Sequence, residues 1–285
     1  MVRRFAQLDV FSKVPYRGNP LAVVVDGEGL GTSDMQRFAN WTNLSETTFL
    51  LPPSHSDADY RVRIFTPTEE LPFAGHPTLG SASAWLAHGG RPRAKDSIVQ
   101  ECGVGLVEVR RDGDSLSFRA PSLLRSGSVD QSLIVEMAES LGIDRRGIVD
   151  SAWVDNGPGW LGILLESADE VLAIRPRATN LSIGVVGPHS AGGPFAYEVR
   201  AFYSAAGTTL EDPVTGSLNA SLAQWLIATG RFTAPYLVSQ GTALGRAGVV
   251  RVSSDETGHV WIGGDVTICI TGTVEIDGTH ADVER

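Results

Sequence analysis

A segment of this chain is written twice. Val62-Arg63-Ile64-Phe65 is followed, after a loop, by His76-Pro77-Thr78-Leu79-Gly80-Ser81, and Val199-Arg200-Ala201-Phe202 is followed by Asp212-Pro213-Val214-Thr215-Gly216-Ser217. The copies share Val-Arg-x-Phe and x-Pro-x-x-Gly-Ser, and in that register His76 falls on Asp212. Each copy has the pattern of a strand, a loop and a helix opening on a polar residue before proline. Proline suits the first helical position because the N–H it lacks has no partner there. A repeat of this kind in 285 residues, a length suited to one large domain or two ordinary ones, predicts two like halves facing each other across a cleft.

The remaining pattern sets the fold class. Phe5–Phe11 alternates as a strand, Leu21–Val25 is an apolar strand after a turn-rich stretch, and Thr32-Ser33-Asp34 caps a helix over Met35–Thr42. The turn Asn43–Ser45 leads into a strand, which puts Ser45 and Glu46 at a strand mouth. Small residues from Gly80 to Ala84 keep the helix after His76 slim, so a neighbour packs close to it. Ser97–Cys102, Gly105–Arg110 and Ser115–Ala120 read as an antiparallel meander, with Asp112-Gly113-Asp114 as its hairpin cue. Pro121–Ser128 reads as a linker, and a helix over Val129–Leu141 opens the second half. There, helices over Ala168–Ala173 and from Pro213 to about Thr229 alternate with runs of strands, ahead of a ragged acidic tail. Antiparallel runs with one long helix per half predict an α+β protein, with halves over 1–120 and 121–263.

Charge and composition exclude several function classes. A hydrophobic fraction of 42% supports a substantial core, and a net charge of −10 offers neither the basic patch that nucleic acid requires nor a polybasic membrane anchor. No apolar run has membrane-spanning length, and Met1 leads directly into a strand, so the cytoplasm is the expected compartment. Cys102 and Cys269 have no C-x-x-C partner or neighbouring histidine, and neither disulfide nor metal is expected. Lys13 and Lys95 lie outside the repeated motifs, which argues against Schiff-base and pyridoxal-phosphate chemistry. Gly103-Val104-Gly105 lacks the third glycine of a dinucleotide fingerprint.

Three residues are candidates for proton chemistry. His76 at a helix start is kept neutral by the positive end of the helix dipole, and a neutral imidazole both donates and accepts. Asp212 before proline has the form of an ordinary N-cap, and as the repeat-mate of His76 it also becomes a group that orients or charge-balances the histidine. Glu46 is either plain loop polarity or, if desolvated, a carboxyl group able to hold a proton near neutral pH. Gly75, Gly216 and Ser217 at the helix starts present unpaired N–H groups suited to a carboxylate, and close packing explains the glycines equally well.

Four blocks resemble the phenazine-biosynthesis PhzF-like family, relatives of diaminopimelate epimerase: Arg17-Gly18-Asn19-Pro20-Leu21-Ala22-Val23-Val24, Asn43-Leu44-Ser45-Glu46-Thr47-Thr48-Phe49, Leu71-Pro72-Phe73-Ala74-Gly75-His76-Pro77-Thr78, and Glu211-Asp212-Pro213-Val214-Thr215-Gly216-Ser217. The resemblance implies two pseudo-symmetric domains of the diaminopimelate epimerase type, each a curled, mostly antiparallel sheet around a central helix, with a C-terminal strand near 264–275 that returns to the first half. It implies Glu46 as general acid/base, His76 and Asp212 completing the catalytic set, and Asn19, Ser45, Gly75, Gly216 and Ser217 as substrate contacts. It also implies a cofactor-free, homodimeric isomerase of secondary metabolism, acting on a small carboxylated metabolite such as trans-2,3-dihydro-3-hydroxyanthranilate. The epimerase relatives use a pair of cysteines, one from each half, whereas Cys102 and Cys269 lie outside both repeat motifs. Racemisation, hydrolysis through Ser45 and binding without turnover are the alternatives.

Overall fold

The computed structural model describes residues 1–113, 115–205 and 207–278. Asp114 of the hairpin cue and the acidic tail beyond residue 278 lie outside the described residues. The chain divides into two compact units, one built from Met1–Phe118 and the chain from Gly264 onward, the other from Arg119–Gly263.

The first unit runs β1 (Val2–Val10), β2 (Asn19–Val24), α1 (Thr32–Thr42), β3 (Glu46–Leu51), β4 (Tyr60–Phe65), β5 (Glu70–Leu71), α2 (Gly75–Ala87), β6 (Ser97–Cys102), β7 (Gly105–Asp112) and β8 (Ser115–Arg119). The second runs β9 (Arg125–Gly127), α3 (Gln131–Leu141), β10 (Asp150–Asp155), β11 (Trp160–Leu164), α4 (Ala168–Ala173), β12 (Ser182–Pro188), β13 (Tyr197–Ala205), β14 (Thr208–Asp212), α5 (Gly216–Ala228), β15 (Tyr236–Gln240), β16 (Gly248–Ser254) and β17 (Val260–Gly264). The last strand, β18 (Val266–Glu275), pairs with β1 of the first unit.

The repeat extends to the strand pairing. β1 to β3 pair antiparallel then parallel, β4 pairs antiparallel with β3 and β5 and parallel with β6, and β6 to β8 form an antiparallel meander. β10 to β17 repeat this order step for step. Even the edge is copied, since β18 lies antiparallel on β1 and β9 antiparallel on β10. The parallel pairs need crossovers, and these are the helices: α1 and α4 join the first parallel pair of each unit, α2 and α5 the second.

Alternation along the strands assigns the two faces of each sheet. In the first unit Val24, Phe49 and Phe65 face Leu30, Met35 and Ala39 around α1, while Thr48 points the other way and accepts a hydrogen bond from Ser81 of α2 at 2.9 Å. In the second, Leu161, Ile163, Ile183 and Val185 pack with α3 and α4, while the intervening Gly162 and Gly184 lie against Trp225 and Leu218 of α5. Helices α2 and α5 are buried on nearly every side, which is why their sequences are small and apolar all round rather than amphipathic.

Gly80 is the close approach that the run of small residues predicts. A Cβ there would lie 2.5 Å from Leu21 Cδ2 and 3.0 Å from Val10 Cγ2, and both side chains are fully buried. Overpacking of about 1–3 kcal/mol exceeds the roughly 1 kcal/mol that alanine gains over glycine in a helix. Gly80→Ala is therefore expected to lose about 1 kcal/mol of stability in urea titration, and a gain would mean that α2 has room to shift.

The structure corrects the repeat register. α2 starts at Gly75 with Ala74 at its N-cap, and α5 starts at Gly216 with Thr215 at its N-cap. Glu70-Leu71-Pro72-Phe73-Ala74-Gly75-His76 therefore matches Glu211-Asp212-Pro213-Val214-Thr215-Gly216-Ser217, and the repeat-mate of His76 is Ser217. Pro77 is the third helical residue rather than the first. Its position costs no ladder bond, because the first four N–H groups of a helix are unpaired anyway. Asp212 ends β14 instead of capping α5, and Pro213 lies in the connection. α1 begins at Thr32, with Gly31 in the capping position. The stretch read as a linker contains β9, and the loop Pro67–Pro72 contains β5.

The corrected register is supported by ion pairs. Arg63 reaches Glu70 in the first unit, and Arg200 reaches Glu211 at 2.7 Å in the second. Each guanidinium also lies over the phenylalanine two residues on, at 5.1 Å for Phe65 and 4.8 Å for Phe202. In each unit, a polar residue in the first turn of the buried helix bonds back to the N-cap carbonyl and to a buried glutamine on the next strand. These are Thr78 with Gln100, and Asn219 with Gln240.

Candidate active site

In the first unit, three elements end at one place. β2 and β3 run parallel with Leu21 opposite Glu46, so Asn19 and Glu46 emerge at the same end of the sheet. The N-terminus of α2 arrives there with Gly75 and His76. Asn19 is held by its own loop: buried Asp9 accepts the Gly18 N–H at 3.1 Å, and Gly18 passes so close to β1 that a Cβ would lie 2.3 Å from the Val10 carbonyl oxygen. Sequence reasoning missed Asp9. Its signal was a lone acid inside the apolar run Leu8–Phe11.

His76 is 4% exposed, and both ring nitrogens face polar groups. Nε2 lies 3.2 Å from Glu46 Oε2, and Nδ1 lies 3.4 Å from the Asn19 side-chain nitrogen. An amide nitrogen only donates, so Nδ1 carries the lone pair and the ring proton sits on Nε2, the nitrogen nearer Glu46, with the two groups close but outside hydrogen-bond geometry. Burial pushes the histidine down to about 3, so the imidazole is neutral throughout the physiological range. Ser45, the neighbour of Glu46, stands half-exposed.

Burial of a neutral histidine has a signed consequence for stability. Between pH 6.5, its ordinary value, and about 3, the unfolded chain holds a proton that the folded chain does not. Stability is therefore lost as pH falls through that window, by about 1.4 kcal/mol per pH unit from this residue. The difference in unfolding free energy between wild type and His76→Asn is expected to be flat above pH 6.5 and to follow that slope below it, read by urea titration at several pH values.

The second unit places Asp212, Gly216 and Ser217 together. Asp212, opposite Ala201 on β13, accepts a 2.6 Å bond from the Thr215 hydroxyl to Oδ2. Gly216 and Ser217 are the first two residues of α5. The Ser217 hydroxyl accepts from the Trp160 indole at 3.1 Å, and its carbonyl from Asn156 at 2.9 Å. Buried Gln240 bonds Thr215 and the Asp212 carbonyl. Thr215 lies within a motif block and Gln240 lies in none, so nothing local in the sequence signals Gln240. Among the described residues, no group of three or more His, Cys, Asp or Glu side chains is arranged to hold a metal ion, and no helix is long and apolar enough to cross a membrane.

A sheet wrapped around a buried helix, with a neutral histidine beside a carboxylate at a strand mouth, suits an enzyme that works by general acid/base catalysis. The chain belongs to the phenazine biosynthesis-like protein family, whose model matches residues 8–272, and it is an isomerase with the diaminopimelate epimerase-like fold. A fission yeast (Schizosaccharomyces pombe) protein described as antisense-enhancing sequence 1 is 37% identical over 94% of this chain and 97% of its own length. The trans-2,3-dihydro-3-hydroxyanthranilate isomerase of Pseudomonas fluorescens is 35% identical over 86% of this chain and 88% of its own. Among solved structures, the Bacillus anthracis phenazine biosynthesis protein of the PhzF family superposes with a TM-score of 0.81, at 23% identity over 97% of this chain and all of that one.

Proposed function

We propose that this isomerase moves a proton between two carbons of a small, carboxylated, unsaturated metabolite of the trans-2,3-dihydro-3-hydroxyanthranilate type, without a cofactor. The observation that carries the proposal is the 3.2 Å approach of neutral His76 Nε2 to Glu46 Oε2. Glu46 acts as base and removes a C–H proton. The electron pair passes into the conjugated system as an enolate-like charge, and protonated Glu46 returns the proton to a different carbon. His76, unable to take the proton itself at neutral pH, turns its Nε2–H to Glu46 and steadies the carboxylate before the proton is taken and after it is returned. Unpaired N–H groups at the start of α2, beginning with Gly75, favour negative charge on the substrate.

Asp212 is assigned to the polar catalytic set, and Ser45, Gly216 and Ser217 to substrate contacts. Asn19, buried beneath His76, joins that set through the imidazole. The protein is further proposed to act as a cytoplasmic homodimer in secondary metabolism, and its acidic character speaks against a nucleic-acid partner.

Incubation with trans-2,3-dihydro-3-hydroxyanthranilate in D2O, followed by absorbance and mass spectrometry, tests the reaction. Deuterium at the newly protonated carbon of the product is expected. Deuterium in recovered substrate without isomerisation would point instead to a racemase, and binding without exchange to a protein that has lost the reaction.

A further inference from the structure

The buried side chains behind Asp212 form a chain of hydrogen bonds whose direction is fixed at every link. The Thr215 backbone N–H donates to Gln240 Oε1 at 3.0 Å, and the Asn219 amide nitrogen donates to the same oxygen at 2.7 Å. Two donors converging on one atom settle the orientation of the Gln240 amide, because only its oxygen accepts. Gln240 Nε2 therefore lies on the other side, where it donates to Thr215 Oγ1 at 2.9 Å and to the Asp212 carbonyl at 3.2 Å. A hydroxyl oxygen that already accepts has one proton left to give, and Thr215 Oγ1 lies 2.6 Å from Asp212 Oδ2. Thr215, Asn219 and Gln240 are all nearly inaccessible, at 6%, 0% and 1% exposure, so water does not compete for these bonds.

We infer that Thr215 and Gln240 are positioning residues that hold Asp212 Oδ2 as a hydrogen-bond acceptor, so that Asp212 takes part in proton transfer through Oδ1. Protonation on Oδ2 would force the Thr215 hydroxyl to turn its hydrogen away from the carboxyl group and to accept a second bond, which gives up the donation the chain now makes. Oδ1 is the oxygen that can take a proton while the chain stays intact. The inference rests on the catalytic assignment of Asp212 made above.

The first unit shows what a purely structural version looks like. There Gln100 Nε2 donates to Thr78 Oγ1, whose hydroxyl donates to the Ala74 carbonyl. In the second unit Asn219, the counterpart of Thr78, braces the same N-cap carbonyl, that of Thr215, at 2.9 Å. Thr215 stands where the first unit has Ala74, so the hydroxyl that faces a carboxylate is an addition of the second unit.

The test is a 13C NMR titration of the Asp212 carboxyl carbon, assigned by its loss in Asp212→Asn, in wild type, Thr215→Ser and Thr215→Val. Removing a hydrogen bond from the ionised form should move the Thr215→Val midpoint upward by about one pH unit, while Thr215→Ser, which keeps the hydroxyl, should titrate as wild type. An unchanged midpoint in Thr215→Val would overturn the inference. So would an equal shift in both variants, which would indicate altered packing rather than a lost donor. Should the valine variant not fold, Thr215→Ala removes the same hydroxyl without added bulk and is read in the same way. The titration needs no turnover, so it stands apart from the catalytic assignment, which fails separately if Asp212→Asn retains full activity.

Discussion

Replacing Glu46 with glutamine is expected to reduce kcat by at least about a thousandfold while leaving the fold intact, within the range that a positioned acid or base supplies. Glutamine keeps the size of the side chain and presents an amide oxygen to His76, so the 3.2 Å approach survives the change. What is lost is the capacity to take a proton and return it. Because Glu46 begins β3 at the partly open end of the sheet and not in its core, thermal stability should change little. Activity with trans-2,3-dihydro-3-hydroxyanthranilate or a related carboxylated diene, followed by absorbance beside a melting curve, decides the matter. Substantial turnover in a folded Glu46→Gln protein would remove Glu46 from the mechanism. His76 offers no substitute, since burial holds it neutral down to about pH 3.

The largest effect on stability is expected from Glu211→Gln. Arg200 and Glu211 are 5% and 11% exposed, paired through both oxygens, and the guanidinium also donates to the Val171 and Ile174 carbonyls. Loss of the carboxylate charge would leave a buried cation without compensation, at a cost of about 3–5 kcal/mol. The repeat supplies an internal control. Arg63 and Glu70 make the same pair at 17% and 38% exposure, and Glu70→Gln should cost less than about 1 kcal/mol. Chemical denaturation followed by circular dichroism gives both numbers. Equal losses would show that burial does not govern these pairs, whereas a several-fold difference would show that the repeated bridge has a separate role in each unit.

The motif blocks pointed to the residues that the first unit gathers around His76, and strong local patterns gave some elements to the residue: β6 and α4 have the predicted bounds. The failures cluster at helix starts. Asp212-Pro213 has the form of a cap and first helical residue, yet the aspartate is taken by a hydroxyl from further along the chain. Ala74, with no capping side chain, begins the helix in the other unit. Cap chemistry misled because α2 and α5 are buried, and packing rather than propensity fixes where they begin. Short strands such as β5 and β9 carry too few residues for a period to appear. The Glu46–His76 contact was beyond the reach of spacing, since it depends on β2 and β3 pairing in parallel across a crossover helix. Likewise Gln240 meets Asp212 only because β15 lies beside β13.

The pairing of β18 with β1 bears on how the chain is made. Val2 lies opposite Glu275, so β1 leaves the ribosome long before β18, the strand that completes its ladder. All of Arg119–Gly263 is translated in between, a delay of roughly ten to thirty seconds at ordinary elongation rates. The second unit has its whole sequence contiguous and is free to fold in that interval, whereas the unit that carries Glu46 and His76 keeps an open strand edge, exposed to wrong partners and to holding chaperones, until the C-terminal strand arrives. The unit that carries Glu46 and His76 is therefore begun before Arg119–Gly263 is made and completed after it.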